Sequence, residues 1–213
     1  MEAGHGYETG PRRCLIVLAH PDDEIFHGGV LAHLSRTRRA RDARLCHRRR
    51  SRQAASVRRA GRGPWCACAS RSSGCHAQRL GIEEPVLLRF HDSARKERQR
   101  HDDPHALANV DMLDVEAAIR GIIADVKPHV IVTFDPHGGY YHPDHVAIQR
   151  ATTAARSFQA ACIGDEAPER LFYATMLRDV FRGFADASRG RGIVDGLDPD
   201  VFATAPDMIA DVV

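Results

Sequence analysis

A short stretch near the amino terminus decides the fold. Here Cys14-Leu15-Ile16-Val17-Leu18-Ala19 runs directly into His20-Pro21-Asp22-Asp23-Glu24. The apolar run predicts a buried strand of a parallel sheet, because a strand with one wet face would alternate apolar and polar side chains. A helix is predicted to begin at Gly28-Gly29. One histidine and three carboxylates therefore gather at the carboxyl end of a strand, where open α/β sheets bind their ligands. A turn with solvated acids and a capping aspartate is the alternative interpretation.

The same design recurs further along the chain. Val130-Ile131-Val132-Thr133-Phe134 leads into Asp135-Pro136-His137-Gly138-Gly139-Tyr140-Tyr141-His142-Pro143-Asp144-His145, and a helical pattern follows. A weaker copy is Val86-Leu87-Leu88-Arg89-Phe90 before His91-Asp92-Ser93. Parallel strands place their carboxyl ends on one edge of the sheet, so the three loops are predicted to converge on one site. This recurrence favours a functional site over a solvated turn.

Composition restricts the class of protein. The 213 residues suffice for one sizeable domain, so 1–213 is predicted to be a single catalytic domain. A net charge of only +2 gives no reason to expect a nucleic-acid partner. No apolar run reaches the roughly 20 residues of a membrane span, and no secretory signal is visible. We therefore expect a cytoplasmic protein without a membrane partner, whose six cysteines stay mostly reduced. The oligomeric state is left open.

Residues 36–79 depart from this pattern. About half of the basic residues lie there, together with Cys46, Cys66, Cys68 and Cys75, and no helix or strand period persists. Three interpretations compete: a basic nucleic-acid-binding arm, a metal knuckle from three of the cysteines and His76, and a shifted reading frame. We favour the shifted frame, because order returns abruptly at Leu80-Gly81-Ile82. The apolar end at Val212-Val213 predicts that the carboxyl terminus is truncated.

The remaining chain predicts alternating helices and strands. A charged loop at 94–103 is either simply solvated or a lid over the site. A helix over about 110–126 ends at Lys127-Pro128, and a long helix covers 143–161 with Pro143 in its first turn. A strand at 171–176, a helix at 177–187 and a loop-like tail at 188–213 complete the α/β pattern.

The residue types of the two main loops predict a mononuclear metal site. His20 and Asp23 come from the first loop and His145 from the second, and two histidines with one carboxylate leave positions open for water, as in catalytic zinc sites. Iron(II) uses the same ligand set, so Zn²⁺ is expected and Fe²⁺ is possible. Asp22 is the candidate general base for the metal's water. His142 could carry a proton and stabilise an oxyanion. Asp144 could hold the tautomer of His142, and it is also an acid of the kind that the dipole favours at the start of a helix.

Two of these segments carry a family resemblance. Ala19-His20-Pro21-Asp22-Asp23-Glu24 and His142-Pro143-Asp144-His145 resemble the signature motifs of the N-acetylglucosaminyl-phosphatidylinositol de-N-acetylase superfamily, the PIG-L or LmbE-like proteins. That superfamily includes the deacetylase and amidase of bacterial mycothiol metabolism. The resemblance covers residues 14–35 and about 80–180. It implies a Rossmann-like three-layer α/β sandwich with a mostly parallel sheet.

The resemblance also implies an activity and a set of roles. The activity is zinc-dependent hydrolysis of an N-acetyl or related N-acyl group on an N-acetylglucosamine-type small-molecule substrate. His20, Asp23 and His145 would be the metal ligands and Asp22 the base. His142 with Asp144 would stabilise and protonate the tetrahedral intermediate. Tyr140 aligns with a tyrosine close to the reacting carbonyl, and Asp92 resembles a sugar-binding aspartate.

The sequence also departs from the family. After its first helix the family continues with a strand, a Gly-Glu loop and an Arg-bearing helix, and residues 36–79 match none of these. Family members also usually extend beyond the position of Val213. The alternatives are therefore a metal phosphoesterase, which commonly needs two metal ions, and an inactive family fragment with a nucleic-acid-binding basic segment.

Overall fold

The structure is a computed structural model. It describes residues 13–21, 23, 24, 27, 29, 42–47, 86–94, 98–164, 167–190, 198, 200 and 203–205, with the backbone alone at 42–47. Most of segment 36–79 therefore lies outside the described residues, as do the candidate knuckle residues Cys66, Cys68, Cys75 and His76 and most of the helix predicted after Gly28-Gly29.

Five described strands form one parallel sheet. They are β1 (Arg13–Val17), β2 (Asp42–His47), β3 (Val86–Leu87), β4 (Val130–Phe134) and β5 (Arg170–Ala174), in the spatial order β3-β2-β1-β4-β5. This order is typical of a Rossmann-like sheet, in which the chain first builds outward on one side of β1 and then continues on the other side. The predicted α/β class with a parallel sheet is confirmed.

Three helices are long enough to label: α1 (Met112–Val126), α2 (Pro143–Ile163) and α3 (Arg178–Ala187). A single helical turn, Gly138–Tyr141, precedes α2. Helix α1 begins where Asp111 accepts a hydrogen bond from the backbone N–H of Leu113, and it ends where Lys127 adopts φ 47° ahead of Pro128. Helix α2 begins at Pro143, whose missing N–H costs nothing in a first turn. No helix in the described part of the chain is long and apolar enough to cross a membrane.

The core lies between β1, β4 and the inner faces of α1 and α2. Its largest fully buried side chains are Leu15, Ile16, Val17, Leu18, Ile119, Ile131, Ile148 and the polar exception His145. The four residues from Cys14 to Val17 and the following Leu18 are apolar and at most 4% exposed, so both faces of β1 are covered. The unbroken apolar run at the start of the chain is thus the centre of the sheet.

Some predicted boundaries differ from the structure. Strand β3 ends at Leu87 rather than 90, because its partner β2 pairs with it only at two positions, Cys46↔Val86 and His47↔Leu87. The backbone is already helical at Glu24, ahead of the predicted start at Gly28-Gly29. The second strand, β2, lies inside the segment for which the sequence predicts no regular structure. Its sequence, DARLCH, lacks the continuous apolar run that identifies β1 and β4.

Two isomeric side chains on α1 allow a test of this core. Ile119 is fully buried, whereas Leu113 on the same helix is 64% exposed. We expect Ile119→Ala to lower the free energy of unfolding by about 2–5 kcal/mol, because it leaves a cavity. The matched control Leu113→Ala should change it by less than about 0.5 kcal/mol. Urea denaturation followed by circular dichroism measures both; equal losses would contradict the packing described here.

Candidate metal centre

The candidate site lies at the carboxyl ends of β1, β3 and β4. The hydroxyl of Thr133 in β4 donates a 2.9 Å hydrogen bond to the carbonyl of Val17, the last residue of β1. This bond and the pairing of the two strands hold the loops that follow them side by side. The loop after β3 joins them, since the backbone N–H of Ser93 donates to the Asp144 carboxylate at 3.0 Å.

His20, Asp23 and His145 contact one another. Nδ1 of His20 lies 3.2 Å from Nε2 of His145 and 3.4 Å from Oδ2 of Asp23, and His145 Nε2 lies 3.3 Å from Asp23 Oδ1. The carboxylate of Asp23 is fixed from within its own turn, because Oδ2 also accepts the backbone N–H of His20 at 2.7 Å. Three predicted ligands thus meet although 125 positions separate His20 from His145 along the chain.

The other ring nitrogen of His20 faces two different carboxylates. Nε2 lies 3.0 Å from Oδ2 of Asp144 and 3.5 Å from Oδ1 of Asp92. Because a carboxylate accepts, the Nε2–H of His20 donates to Asp144. The sequence predicts Asp144 as the partner of His142. In the structure the Asp144 carboxylate contacts His20, and the backbone N–H of Asp144 donates to Nδ1 of His142. The start of α2 directs the carboxylate back toward the loop after β1.

His142 is held by the backbone of Asp144. His142 caps α2, and its Nδ1 accepts the backbone N–H of Asp144 at 3.2 Å. A neutral His142 therefore carries its proton on Nε2. The ring lies at 4.8 Å from the His145 ring and 4.7 Å from the His20 ring, measured between centroids. The tautomer of His142 is set by a backbone group.

Two features fix the ring of His145. Its Nδ1–H donates to the carbonyl of Gly138 at 3.0 Å, which leaves Nε2 directed at His20 and Asp23. The ring also stacks on Phe134, with centroids 4.0 Å apart and an angle of 11° between planes. Gly138 has φ +63°, and a Cβ built on it would lie 2.7 Å from the Cβ of His145. Only glycine lets the backbone approach the histidine this closely.

Charges in the cluster stabilise one another. Burial alone lowers the pKa of His20, but hydrogen bonds to Asp144, Asp23 and Asp92 outweigh it and raise that pKa to about 12. Burial raises the pKa of Asp23, and contacts with His145 and His20 hold it well below its usual range. Burial, and then the charges of His20 and His145, lower the pKa of His142 to about 4. His142 is therefore neutral near pH 7, whereas the carboxylates are ionised.

The spacing of the donor atoms fits a small divalent ion. Ligands bound to tetrahedral Zn²⁺ at about 2.0–2.2 Å lie about 3.3–3.6 Å from one another. The three contacts among His20, Asp23 and His145 span 3.2–3.4 Å, with Asp23 facing His20 through Oδ2 and His145 through Oδ1. Within the described part of the chain, the sets that offer one donor atom from each of three residues, all within 4.8 Å of one another, are His20 with His142 and His145, and His20 with Asp92 and Asp144. All of these groups share His20.

The remaining predicted residues lie nearby, with one exception. The Tyr140 ring centroid lies 5.0 Å from that of His145, and Asp92 contacts His20 from the loop after β3. Asp22 falls outside the described residues. Three buried residues of the site escaped the sequence analysis as site residues: Ser93, Phe134 and Gly138. Phe134 ends β4, Gly138 lies between β4 and the second histidine motif, and Ser93 follows Asp92 in the loop after β3. Position beside a motif or a candidate residue is the signal that could have found them.

A parallel α/β sheet with a buried His/Asp cluster at the carboxyl ends of its central strands is typical of α/β proteins that bind a ligand at this edge of the sheet. Residues 15–156 match the family model described as PIG-L, GlcNAc-PI de-N-acetylase. The chain belongs to this family.

Two of the relatives that this chain matches are named as deacetylases. The chain is 31% identical to a 1D-myo-inositol 2-acetamido-2-deoxy-alpha-D-glucopyranoside deacetylase from Rhodococcus erythropolis, over 74% of this chain and 57% of the relative. It is 33% identical to an enzyme of the same name from a Mycobacterium species (strain KMS), over 67% of this chain and 49% of the relative. This chain thus spans about half the length of these relatives. A solved structure of a conserved protein from Thermus thermophilus has the same fold, with a TM-score of 0.52, 20% identity, and coverage of 76% of this chain and 66% of that one.

Adjacent glycines allow a test of the cradle around His145. Gly138→Ala forces a Cβ to 2.7 Å from His145 Cβ and 2.9 Å from the Val146 nitrogen, whereas Gly139, with φ +70°, has nothing within 4 Å of its added Cβ. Both substitutions strain the backbone by about 1–2 kcal/mol. Only Gly138→Ala should displace His145, and we expect it to weaken Zn²⁺ binding by at least about tenfold. Chelator competition measures the affinity; equal affinities of the two variants would contradict the cradle.

Proposed function

We propose that this protein is a metal-dependent hydrolase that removes an N-acetyl, or related N-acyl, group from an N-acetylglucosamine-type small molecule. The observation that carries this proposal is the mutual contact of His20, Asp23 and His145, whose facing donor atoms lie 3.2–3.4 Å apart. Family membership and the names of the relatives, which are deacetylases of an acetylated amino sugar, support it. The substrate class is that of those relatives, and the exact substrate is left open.

Zn²⁺ is the proposed ion, held by His20, Asp23 and His145, and Fe²⁺ is compatible with the same ligands. When bound, such an ion supplies a water of lowered pKa and polarises the acyl carbonyl. The chain's own residues then supply the proton transfers and the orientation of the substrate. Both imidazole rings present a single nitrogen to the ion, because His20 Nε2 and His145 Nδ1 are already engaged by Asp144 and the carbonyl of Gly138.

Asp22 is the proposed general base. It neighbours the proposed ligand Asp23 in the chain, and a carboxylate that does not bind the ion is the group expected to take the proton of the ion's water. The role is assigned from sequence and family resemblance, since Asp22 lies outside the described residues.

His142 is the proposed group that stabilises the oxyanion and passes the proton to the leaving amine. Its Nδ1 accepts the Asp144 backbone N–H, so its Nε2–H is the donor available to a negatively charged oxygen. The buried ring lies beside both histidine ligands. Asp144 is proposed to act in the same step by setting this tautomer through its backbone.

Tyr140 and Asp92 are the proposed substrate contacts. Tyr140 is half-buried beside His145, on the side of the site formed by the loop after β4. Asp92 is half-buried on the side formed by the loop after β3, and its Oδ1 accepts the backbone N–H of Ala94. We propose that Tyr140 and Asp92 flank an acyl sugar whose amide lies next to the metal site. A single catalytic domain and a cytoplasmic location remain predictions of the sequence.

The base assignment is tested by replacing Asp22 with asparagine. We expect Asp22→Asn to lower the rate of acetate release from N-acetylglucosamine-type substrates by about 10²–10⁴-fold, because proton abstraction is lost. Zn²⁺ affinity should stay within a few-fold of the unaltered protein. Asp125→Asn, an exposed carboxylate on α1, is the matched control and should retain full activity. Unchanged turnover of Asp22→Asn would refute its role as base.

Metal dependence is tested by removing the ion. Dialysis against a strong chelator should abolish acetate release, and one equivalent of Zn²⁺ or Fe²⁺ should restore it. Metal analysis of the restored protein is expected to find one ion per chain. Two ions per chain, together with cleavage of a phosphate ester, would favour the phosphoesterase alternative.

A further inference from the structure

Ser93 is tied to its surroundings through three groups. Its backbone N–H donates to Oδ2 of Asp144 at 3.0 Å, its hydroxyl accepts the backbone N–H of Ala108 at 2.9 Å, and its carbonyl accepts the backbone N–H of Arg100 at 2.9 Å. The residue is 1% exposed. It therefore joins the loop after β3 to the segment that precedes α1, and both to the start of α2.

Asp144 continues this connection to the site. Its side chain is fully buried, and the same Oδ2 that accepts from Ser93 accepts from Nε2 of His20 at 3.0 Å. The N–H of Ser93 fixes where this oxygen lies, and the oxygen fixes which way the imidazole faces. With Nε2 turned toward Asp144, Nδ1 of His20 faces His145 and Asp23.

A histidine bound to a metal commonly donates its other N–H to a carboxylate or a backbone carbonyl, which sets its tautomer and orients its ring. In His145 a backbone carbonyl has that role, through the Gly138 contact. In His20 the carboxylate of Asp144 stands in the corresponding place.

We propose that Ser93 and Asp144 are positioning residues for the metal ligand His20, with Ser93 holding the Asp144 carboxylate and Asp144 holding the imidazole. This inference rests on the metal site of the proposed function. It assigns Asp144 a contact with a metal ligand that is separate from its backbone contact with His142. It also connects the segment around Ala108 to the site, because the backbone N–H of Ala108 is hydrogen-bonded to Ser93.

A rival arrangement uses the same residues. His20, Asp92 and Asp144 themselves form a set of donors within 4.8 Å, so Asp144 would then be a ligand and not a positioning residue. The two arrangements differ in what Asp23 does. In the arrangement proposed here Asp23 binds the ion, and in the rival it does not.

The experiment measures metal binding by the full chain without substrate. Zn²⁺ affinity is obtained by chelator competition, and the visible absorption of the Co²⁺-substituted protein reports on the ligand geometry. The variants are Asp144→Asn, Ser93→Ala, Asp23→Asn, Asp92→Asn and the control Thr152→Val. Thr152 is fully buried on α2 and its hydroxyl donates to the carbonyl of Ile148, so the control removes a buried hydroxyl away from the site. Circular dichroism establishes that each variant is folded.

We expect Asp144→Asn to weaken Zn²⁺ binding by about 10–100-fold. Ser93→Ala keeps the backbone N–H but removes the hydroxyl, which accepts from Ala108 and also hydrogen-bonds the Asp144 carboxylate, so it should weaken binding by about tenfold. The Co²⁺ spectrum should change in both. Thr152→Val should leave affinity and spectrum unchanged even where it lowers stability, and Asp23→Asn should weaken binding most. Affinities of Asp144→Asn and Ser93→Ala equal to that of the control would overturn the proposal. It would also be overturned by Zn²⁺ binding that survives Asp23→Asn but not Asp92→Asn and Asp144→Asn, or by a chain that binds no Zn²⁺.

These readouts are independent of turnover. A protein that binds one Zn²⁺ through this arrangement and releases no acetate would refute the proposed deacetylation and leave the positioning role standing. A protein that releases acetate, with unchanged metal affinity in Asp144→Asn and Ser93→Ala, would refute the positioning role and leave the proposed deacetylation standing.

Discussion

Parallel pairing of β1 with β4 is the constraint on which the site depends. Their register aligns Cys14 with Val130 and Ile16 with Val132, so the two strands end at the same level of the sheet. The Thr133 hydroxyl bonded to the carbonyl of Val17 adds a second link at that end. Because the chain turns from one side of the sheet to the other between these strands, their loops separate and leave a crevice. The motif after each strand lines this crevice.

The crevice concentrates charge that would be costly to bury singly. His20, Asp23 and Asp144 are each largely removed from water, and each faces a group of opposite charge or a backbone donor. Removing one member leaves its partners buried and uncompensated, which costs more than the pair contributes. The same mutual contact keeps the carboxylates ionised, which suits them to hold a divalent cation. Stability and the proposed metal binding therefore depend on the same cluster.

Elements with a strong local signal in the sequence were predicted correctly. Strand β4 has the predicted bounds, and α3 begins one residue later than predicted. The buried strands carry continuous apolar runs, and the helices carry capping residues and an apolar face, so each element is specified by its own residues. Strand β2 shows the limit, because its sequence DARLCH becomes a strand through pairing with β1 and β3 on either side. Such pairing leaves no trace in a short polar segment.

By itself the sequence determined that the protein has a parallel α/β sheet and that histidines and carboxylates follow its central strands. Both features are specified by short segments of sequence, namely the apolar runs and the residues next to them. Only the tertiary structure decided which atoms face one another. That the Asp144 carboxylate contacts His20 depends on where α2 begins relative to the loop after β1. Partner choice across more than a hundred residues is set by strand register and helix placement, which the spacing of a motif does not encode.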